Sequence, residues 1–389
     1  MAELMDRRRG ELLSRGATED QAAALLAYNT NTFQLPTGNL RLPLQDEHFV
    51  DSWRTYAEEV RNSGTLRSLE RYLVQLRFPI KANISCSSEY ISATQFDRLF
   101  SQTQEWVGLG LSCPDLCTVD IYPTPAGHIA IITSPLRSDF VLLVQAFGHK
   151  NEPVALPPTM GALMVAGYRN WHRVTQVLEQ NDSITANGIL ANRCSYQDRF
   201  ILLSKGDYSG VSAHQLGLTA EEWRETSWLI RREHETAHYF TRRVLRSMRN
   251  NIFDELLADY CGIVRACGRF RADWFLLFLG LEAYPRYRPG GRLENYRGNS
   301  LDDSAFRILQ SLVYDAALSV ESFDRELRQQ AASPMDWPFA ILTLNRFYLE
   351  ELAGVAALPM LLETHRATDA SACNSARNSG SVDNERDIL

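Results

Sequence analysis

The chain has 389 residues, of which 45% are hydrophobic, so it is long enough to form a large core in one or two domains. Its formal net charge of -7 gives no basis for a nucleic-acid partner, because such proteins present basic surfaces to phosphates. The charged N-terminal segment lacks the apolar core of a secretory signal, and no apolar run approaches the roughly 18 residues of a membrane helix. We therefore expect a cytoplasmic protein with no membrane partner. Its seven scattered cysteines predict reduced thiols.

The N-terminal half of the sequence predicts a mixture of helices and strands. Helical periodicity runs from Glu47 to about Arg77, with a break at residues 62–64. Short β-branched or aromatic segments bounded by turn residues predict strands at residues 78–84, 128–133, 140–147 and 199–204. Further helices are predicted at residues 91–104 and 160–180. This pattern indicates an α+β N-terminal part.

The most specific signal in the sequence is His234-Glu235-Thr236-Ala237-His238, an HExxH pattern. No Pro or Gly occurs between Leu218 and Cys261, so the pattern is predicted to lie on a helix. Residues four apart share one helix face, which lets His234 and His238 offer two imidazoles to one Zn²⁺, with Glu235 beside it as the general base. The alternative is that His234 and His238 bind no metal and are structural or surface residues.

A third metal ligand is expected, because a catalytic zinc usually takes three protein ligands and keeps one position for water. Residues 254–259 provide two acidic candidates, Glu255 and Asp259, which are four apart and hence on one helix face. One carboxylate can bind the metal while the other holds a ligand histidine.

The interval between His238 and Glu255 is only 16 residues, which restricts the length of the first helix. A helix that continued to Met248 would carry the chain about 15 Å past His238, and the returning helix would recover only about 5 Å by Glu255. The sequence therefore requires the first helix to end near residues 239–243, or Asp259 to be the ligand instead.

Across Trp228 to Gly262 the chain resembles the gluzincins, the thermolysin-like clan of zinc metallopeptidases, in which HExxH is followed by a glutamate ligand and an acidic residue four positions later. This resemblance implies a zincin-like fold, with His234, His238 and Glu255 as zinc ligands and Glu235 as the catalytic base. It also implies that Asp259 holds a ligand histidine, as second-sphere carboxylates do.

The resemblance also implies that a sheet edge near the HExxH helix binds the peptide substrate, and residues 200–211 are the candidate strand. An ordinary interior hairpin is the alternative. A hydrolase further needs a donor for the developing oxyanion. The loop from Tyr284 to Gly298 is rich in such groups, and Gly290-Gly291 could act as its hinge. The candidate substrate or oxyanion contacts are Tyr287, Arg292, Tyr296, Arg297 and, outside this loop, His214.

The C-terminal part is predicted to be helical, with runs at residues 251–267, 271–281, 302–318 and 338–352. Polar residues 368–389 predict a disordered tail. We thus expect an α+β, zincin-like fold with an N-terminal α+β subdomain at residues 1–220 and a helical subdomain at residues 221–367 that carries both motifs.

Together these features predict a zinc-dependent metallohydrolase with one Zn²⁺ per chain, acting on a peptide or a small amide. Two alternatives remain open at this point. One is a binding or scaffold protein on a zincin-like fold, and the other is a zinc hydrolase of a small-molecule amide or ester in biosynthesis.

Overall fold

A computed structural model describes residues 2–36, 40–94, 107–180, 185–248, 251–330 and 337–379. The fold is mixed α+β and mostly helical, with one small sheet, as predicted for the class. The helices, in chain order, are α1 (Ala2–Ser14), α2 (Glu19–Tyr28), α3 (Val50–Ser63), α4 (Ser88–Ala93), α5 (Arg137–His149), α6 (Trp171–Gln180), α7 (Ala186–Ala191), α8 (Ala213–Leu216), α9 (Ala220–Val244), α10 (Ile252–Cys267), α11 (Ala272–Leu279), α12 (Asp303–Gln330), α13 (Trp337–Leu344), α14 (Leu349–Leu352) and α15 (Ala357–Ser379). The strands are β1 (Thr118–Thr124), β2 (Gly127–Ser134), β3 (Ala162–Arg169) and β4 (Gln197–Ser204).

Short 3₁₀ helices fill several connections in the chain. They are Leu66–Arg71, Val74–Arg77, Ile84–Cys86, Pro114–Leu116, Arg193–Ser195, Tyr208–Gly210 and Arg292–Tyr296. In the part of the chain that the structure covers, none of the helices combines the length and apolar character that a membrane span requires. The cysteines at positions 86, 113, 117, 194, 261 and 267 are free, in agreement with the prediction of reduced thiols.

The chain divides into two compact units that are not continuous in sequence. The helical unit contains Met1–Leu42, Val211–Leu218 and Arg232–Leu389, and the sheet unit contains Pro43–Gly210 and Thr219–Arg231. The sequence suggested that residues 1–42 belong with the N-terminal subdomain, whereas here they group with the helices that follow residue 231.

The sheet unit is built on a four-stranded sheet in the order β1-β2-β4-β3. The pairs β1/β2 and β3/β4 are antiparallel, whereas β2 and β4 are parallel. Helix α3 packs on the sheet through Trp53, Tyr56, Ala57 and Val60, which recur at helical spacing and are buried in the same core as Phe200 of β4. The Trp53 and Phe200 ring centroids are 4.6 Å apart.

The position of β4 contradicts the predicted role of residues 200–211 in binding substrate. Because β4 pairs with β2 on one side and with β3 on the other, its backbone groups are already used within the sheet. The open edges belong to β1 and β3. Substrate cannot add as a strand to residues 200–204, and residues 208–210 form a 3₁₀ turn.

The predicted strands at residues 128–133 and 199–204 are confirmed as β2 and β4, but three other predictions are wrong. Residues 140–147 lie in α5, where Phe140, Leu143 and Val144 face the core at helical spacing. Residues 78–84 contain no strand, and residues 162–169, predicted as part of a helix, form β3. Short apolar runs fit both structures, so periodicity alone could not separate them. Most of the predicted helix at residues 91–104 lies outside the described residues.

The helical unit agrees more closely with the sequence. Residues 251–267 and 271–281 form α10 and α11, and the run from residue 302 forms α12, which is longer than predicted. Residues 338–352 form two helices, α13 and α14. Helix α15 runs to Ser379, into the segment predicted to be disordered, and residues 380–389 lie outside the described residues.

Candidate metal centre

Helix α9 places the two histidines of the HExxH motif side by side. His234 and His238 are one turn apart on the same face, with ring centroids separated by 4.7 Å. Their Nε2 atoms lie 3.1 Å apart, and both residues are only 6% exposed. Both Nε2 atoms therefore point at one shared position.

Helix α10 begins soon enough after α9 to bring Glu255 to that position. α9 ends at Val244, one residue beyond the range that the sequence required, and Arg246 then reverses the chain with a φ of 56°. The Asn251 side chain caps α10 by accepting a hydrogen bond from the Asp254 amide at 3.2 Å, so Glu255 lies in the first turn.

Glu255, and not Asp259, faces both histidines. Its Oε2 lies 3.4 Å from His234 Nε2, and its Oε1 lies 3.5 Å from His238 Nε2. Among the described residues, His234, His238 and Glu255 form the one group of three buried ligand types whose donor atoms converge. The three residues predicted as ligands are thus the three that the fold brings together.

The distances between these donor atoms fit a tetrahedral zinc site. Zinc–nitrogen and zinc–oxygen bonds of about 2.0–2.2 Å at tetrahedral angles would place neighbouring donor atoms about 3.3–3.5 Å apart. The separations of 3.1, 3.4 and 3.5 Å among His234, His238 and Glu255 lie close to this range. Two imidazoles and one carboxylate are also a donor set that catalytic zinc accepts.

Each histidine faces a separate carboxylate of α10 at its other ring nitrogen. His234 Nδ1 lies 2.8 Å from Asp259 Oδ1, and His238 Nδ1 lies 3.3 Å from Asp254 Oδ2. A carboxylate at Nδ1 favours the tautomer with its proton on that atom, which leaves the Nε2 lone pair free to bind a metal. Asp259 therefore orients His234 through a hydrogen bond. The contact between Asp254 and His238 is electrostatic, because among the described residues neither Asp254 oxygen nor His238 Nδ1 has a hydrogen-bond partner.

Two residues of the 3₁₀ helix Arg292–Tyr296 contact the acidic groups of α10. The Arg292 guanidinium donates to Asp259 Oδ2, and the Tyr296 hydroxyl donates to Glu255 Oε2 at 2.8 Å. Asp259 and Arg292 are 0% and 8% exposed. The ion pair offsets the cost of burying the Asp259 charge. The other oxygen of Asp259 accepts a hydrogen bond from His234 Nδ1.

Burial and nearby charges shift the pKa values of this cluster in the metal-free protein. Burial opposes the charge on His238, but Asp254 and Glu255 outweigh it and raise the pKa of His238 well above its usual value. Burial also opposes ionisation of Glu255, yet the two histidines and Arg292 bring its pKa well below the usual range. Burial and the Glu255 charge raise the pKa of Tyr296 well above that of free tyrosine, so its hydroxyl stays a hydrogen-bond donor.

The remaining predicted site residues take different positions. Glu235 follows His234 on α9 and is partly exposed. The Tyr287 hydroxyl instead donates to the Gly291 carbonyl at 2.8 Å, and Arg297 pairs with Asp303 at 2.6 Å on the surface. His214 is exposed on α8 and does not belong to the convergent group.

Two contacts of the candidate site, Asp254 with His238 and Arg292 with Asp259, could not be predicted from the sequence. Asp254 was visible as part of the acidic run at residues 254–259, but nothing in the spacing paired it with His238. Arg292 was a candidate for substrate contact, and its contact with Asp259 depends on how the loop before it folds. One signal was present in the sequence. Asp259 was expected to lie beside a ligand histidine, and a buried carboxylate of this kind needs a nearby cation, which could have prompted a search for Arg292.

A comparison with curated proteins finds no match, and a comparison with solved structures finds none either. A family model described as a family of unknown function (DUF7005) matches residues 11–356, a span that includes every residue of the candidate metal centre. The chain therefore belongs to the DUF7005 family.

Proposed function

We propose that this protein is a zinc-dependent metallohydrolase that cleaves peptide or small amide bonds. The observation that carries the proposal is the convergence of His234 Nε2, His238 Nε2 and the Glu255 carboxylate at separations of 3.1–3.5 Å. Three protein ligands leave a fourth position for water, which distinguishes a catalytic zinc site from a closed structural one.

The proposed fold is zincin-like, of the gluzincin type. Its support is the pairing of an HExxH helix with a second helix that supplies the glutamate and, one turn later, Asp259. The contact of Asp259 with His234 Nδ1 agrees with the role that the resemblance implies for that residue.

His234, His238 and Glu255 would hold the metal, Asp259 fixes the His234 imidazole through a hydrogen bond, and Asp254 places a negative charge beside His238 Nδ1. Bound Zn²⁺ would supply two effects, a lowered pKa for the attacking water and polarisation of the scissile carbonyl. Glu235 would act as the general base, accepting a proton from the attacking water and delivering it to the leaving nitrogen, a transfer for which a partly exposed carboxylate next to a ligand is suited.

The first experiment measures zinc per chain in protein purified without added metal. We expect about one zinc per wild-type chain and loss of zinc in His238→Ala and Glu255→Ala, because each removes one of three ligands. His214→Ala is the matched control, since it removes an exposed histidine outside the cluster and should keep its zinc. A wild-type chain that takes up no zinc even after reconstitution would exclude the proposal.

The second experiment tests catalysis with zinc-loaded protein. A library of internally quenched peptides and a panel of N-acyl amino acids separate peptidase from small-amide hydrolase activity. Glu235→Gln should keep one zinc and lose at least about 100-fold in kcat, because it removes the proton acceptor alone. Full activity in Glu235→Gln would exclude this mechanism, and zinc without turnover on either panel would favour a binding protein.

A further inference from the structure

The backbone crosses itself at two glycines just before the residues that reach the metal centre. Gly280 ends α11 with a φ of 88°, and Gly291 precedes the 3₁₀ helix Arg292–Tyr296. A Cβ on Gly291 would lie 2.7 Å from Gly280 Cα, and a Cβ on Gly280 would lie 2.8 Å from Gly291 Cα. We call this contact the glycine neck. A side chain at either glycine would force the two backbone segments apart.

Hydrogen bonds on both sides hold the glycine neck closed. The Arg288 amide donates to the Gly280 carbonyl at 2.8 Å, and the Gly291 amide donates to the Arg288 carbonyl at 3.0 Å. The Tyr287 hydroxyl donates to the Gly291 carbonyl at 2.8 Å and accepts from the Glu294 amide at 3.1 Å. Gly291 is thus fixed from several directions in this structure.

The glycine neck determines where the next turn of chain begins. Arg292 follows Gly291 directly and reaches Asp259, while Tyr296, at the end of the same turn, reaches Glu255. The Tyr296 carbonyl is held in turn by the Tyr28 hydroxyl at 2.9 Å. A displacement of Gly291 would therefore move both side chains against a metal site whose own ligands lie on α9 and α10.

We propose that the glycine neck sets the affinity and coordination geometry of the metal site by positioning Arg292 and Tyr296. The inference rests on the proposed zinc site and adds to it the residues that tune it. Tyr296 donates to Glu255 Oε2, the oxygen that faces His234, and so limits rotation of the carboxylate. Outer contacts of this kind are worth about 10–100-fold in metal affinity.

Gly291→Ala tests the neck, and Tyr296→Phe tests the contact through which it acts. Gly290→Ala is the control, because its added Cβ meets nothing within 4 Å even though its φ of 77° makes alanine strained there. The measurements are zinc dissociation constants by chelator competition, the visible spectrum of the Co²⁺-loaded protein, and the thermal midpoint of the metal-free protein. The spectrum reports coordination geometry, which a general loss of stability does not change.

We expect Gly291→Ala and Tyr296→Phe each to weaken zinc binding by about 10–100-fold and to alter the Co²⁺ spectrum, with Gly290→Ala close to wild type in both. The double variant should bind zinc about as weakly as Gly291→Ala, because both changes remove the same contact. If Gly291→Ala does not fold, Tyr287→Phe replaces it, since that change loosens the neck without adding volume.

Wild-type affinity and spectrum in Tyr296→Phe would overturn the inference. So would a Gly291→Ala protein whose thermal midpoint falls while zinc affinity and spectrum stay unchanged, or a double variant with additive losses. Failure of the wild type to bind zinc would overturn both proposals, whereas zinc binding that is insensitive to these variants would overturn the present one alone.

Discussion

Asp254 and Asp259 both project from α10, and each lies beside the Nδ1 atom of a different histidine of α9. Their surroundings differ, because Asp259 also binds the buried Arg292 whereas Asp254 faces His238 as its ion-pair partner. Asp259 therefore orients its histidine through a hydrogen bond, whereas Asp254 acts on His238 through its charge.

Asp259→Ala should lower the stability of the metal-free protein by about 3–5 kcal/mol, because it removes the buried carboxylate that forms an ion pair with the buried Arg292. It should also weaken zinc binding by about 10–100-fold. Urea unfolding and chelator competition measure the two effects. Asp273→Ala, which removes an exposed carboxylate paired with Arg271, is the control and should change stability by less than about 1 kcal/mol. A stable Asp259→Ala protein would contradict the role given to the ion pair.

Asp254→Asn should change the stability of the metal-free protein by no more than about 1 kcal/mol, because the amide keeps the shape of the side chain and no side-chain hydrogen bond of Asp254 to the described residues is lost. Burial raises the pKa of Asp254, so the loss of its charge removes a desolvation cost as well as an attraction. Zinc affinity should still fall, by about 10-fold. The same two assays apply, and an unchanged zinc dissociation constant would show that Asp254 does not act on the ligand.

Asp198→Ala should destabilise the sheet unit by about 3–5 kcal/mol. The Asp198 carboxylate is fully buried and accepts hydrogen bonds from Trp53 Nε1 at 3.0 Å, from Asn170 at 2.7 Å and from Arg173 at 2.7 Å. Its removal takes away the acceptor that these three buried side chains share. Urea unfolding followed by tryptophan fluorescence measures the loss, with the exposed Asp51→Ala as control. A loss below about 1 kcal/mol would contradict this account.

Asp46 should make stability depend on pH in the acid range. Partial burial opposes its ionisation, but the His128 amide, Arg54 and the His128 ring outweigh it and lower its pKa from 3.8 to about 2. Because the folded pKa is below the unfolded one, the stabilisation is complete above about pH 4 and disappears as pH falls toward 2. Asp46→Asn should lose about 1 kcal/mol at pH 7 and converge with wild type near pH 2 in urea unfolding. A difference that is independent of pH would contradict the assignment.

The metal ligands could be predicted because their relation is local. His234 and His238 lie one turn apart on one helix, and the reach of the chain back to Glu255 depends only on where that helix ends. The requirement that α9 end near residues 239–243 was met within one residue, at Val244. The contacts of Arg292 and Tyr296 depend on the path of a loop, which helical spacing does not specify.

The sheet was harder to predict than the metal ligands. Strands β2 and β4, which are buried along most of their length, were predicted, whereas the edge strands β1 and β3, which have exposed positions, were not. Residues 140–147 and 162–169 are similar in apolar content, yet the first forms α5 and the second β3. The difference is set by pairing of β3 with β4, a contact between distant parts of the chain. For the same reason the sequence could not show that β4 lies in the interior of the sheet.

The division of the helical unit into separate stretches of sequence has a consequence for folding during synthesis. Helices α1 and α2 leave the ribosome before any of the sheet unit, but their partners in the helical unit begin mainly at Arg232. At ordinary translation rates this delay is on the order of ten seconds or more. The sheet unit can therefore begin to fold first, while the Tyr28 hydroxyl meets Ile252 and Tyr296 only after the metal ligands have been synthesised.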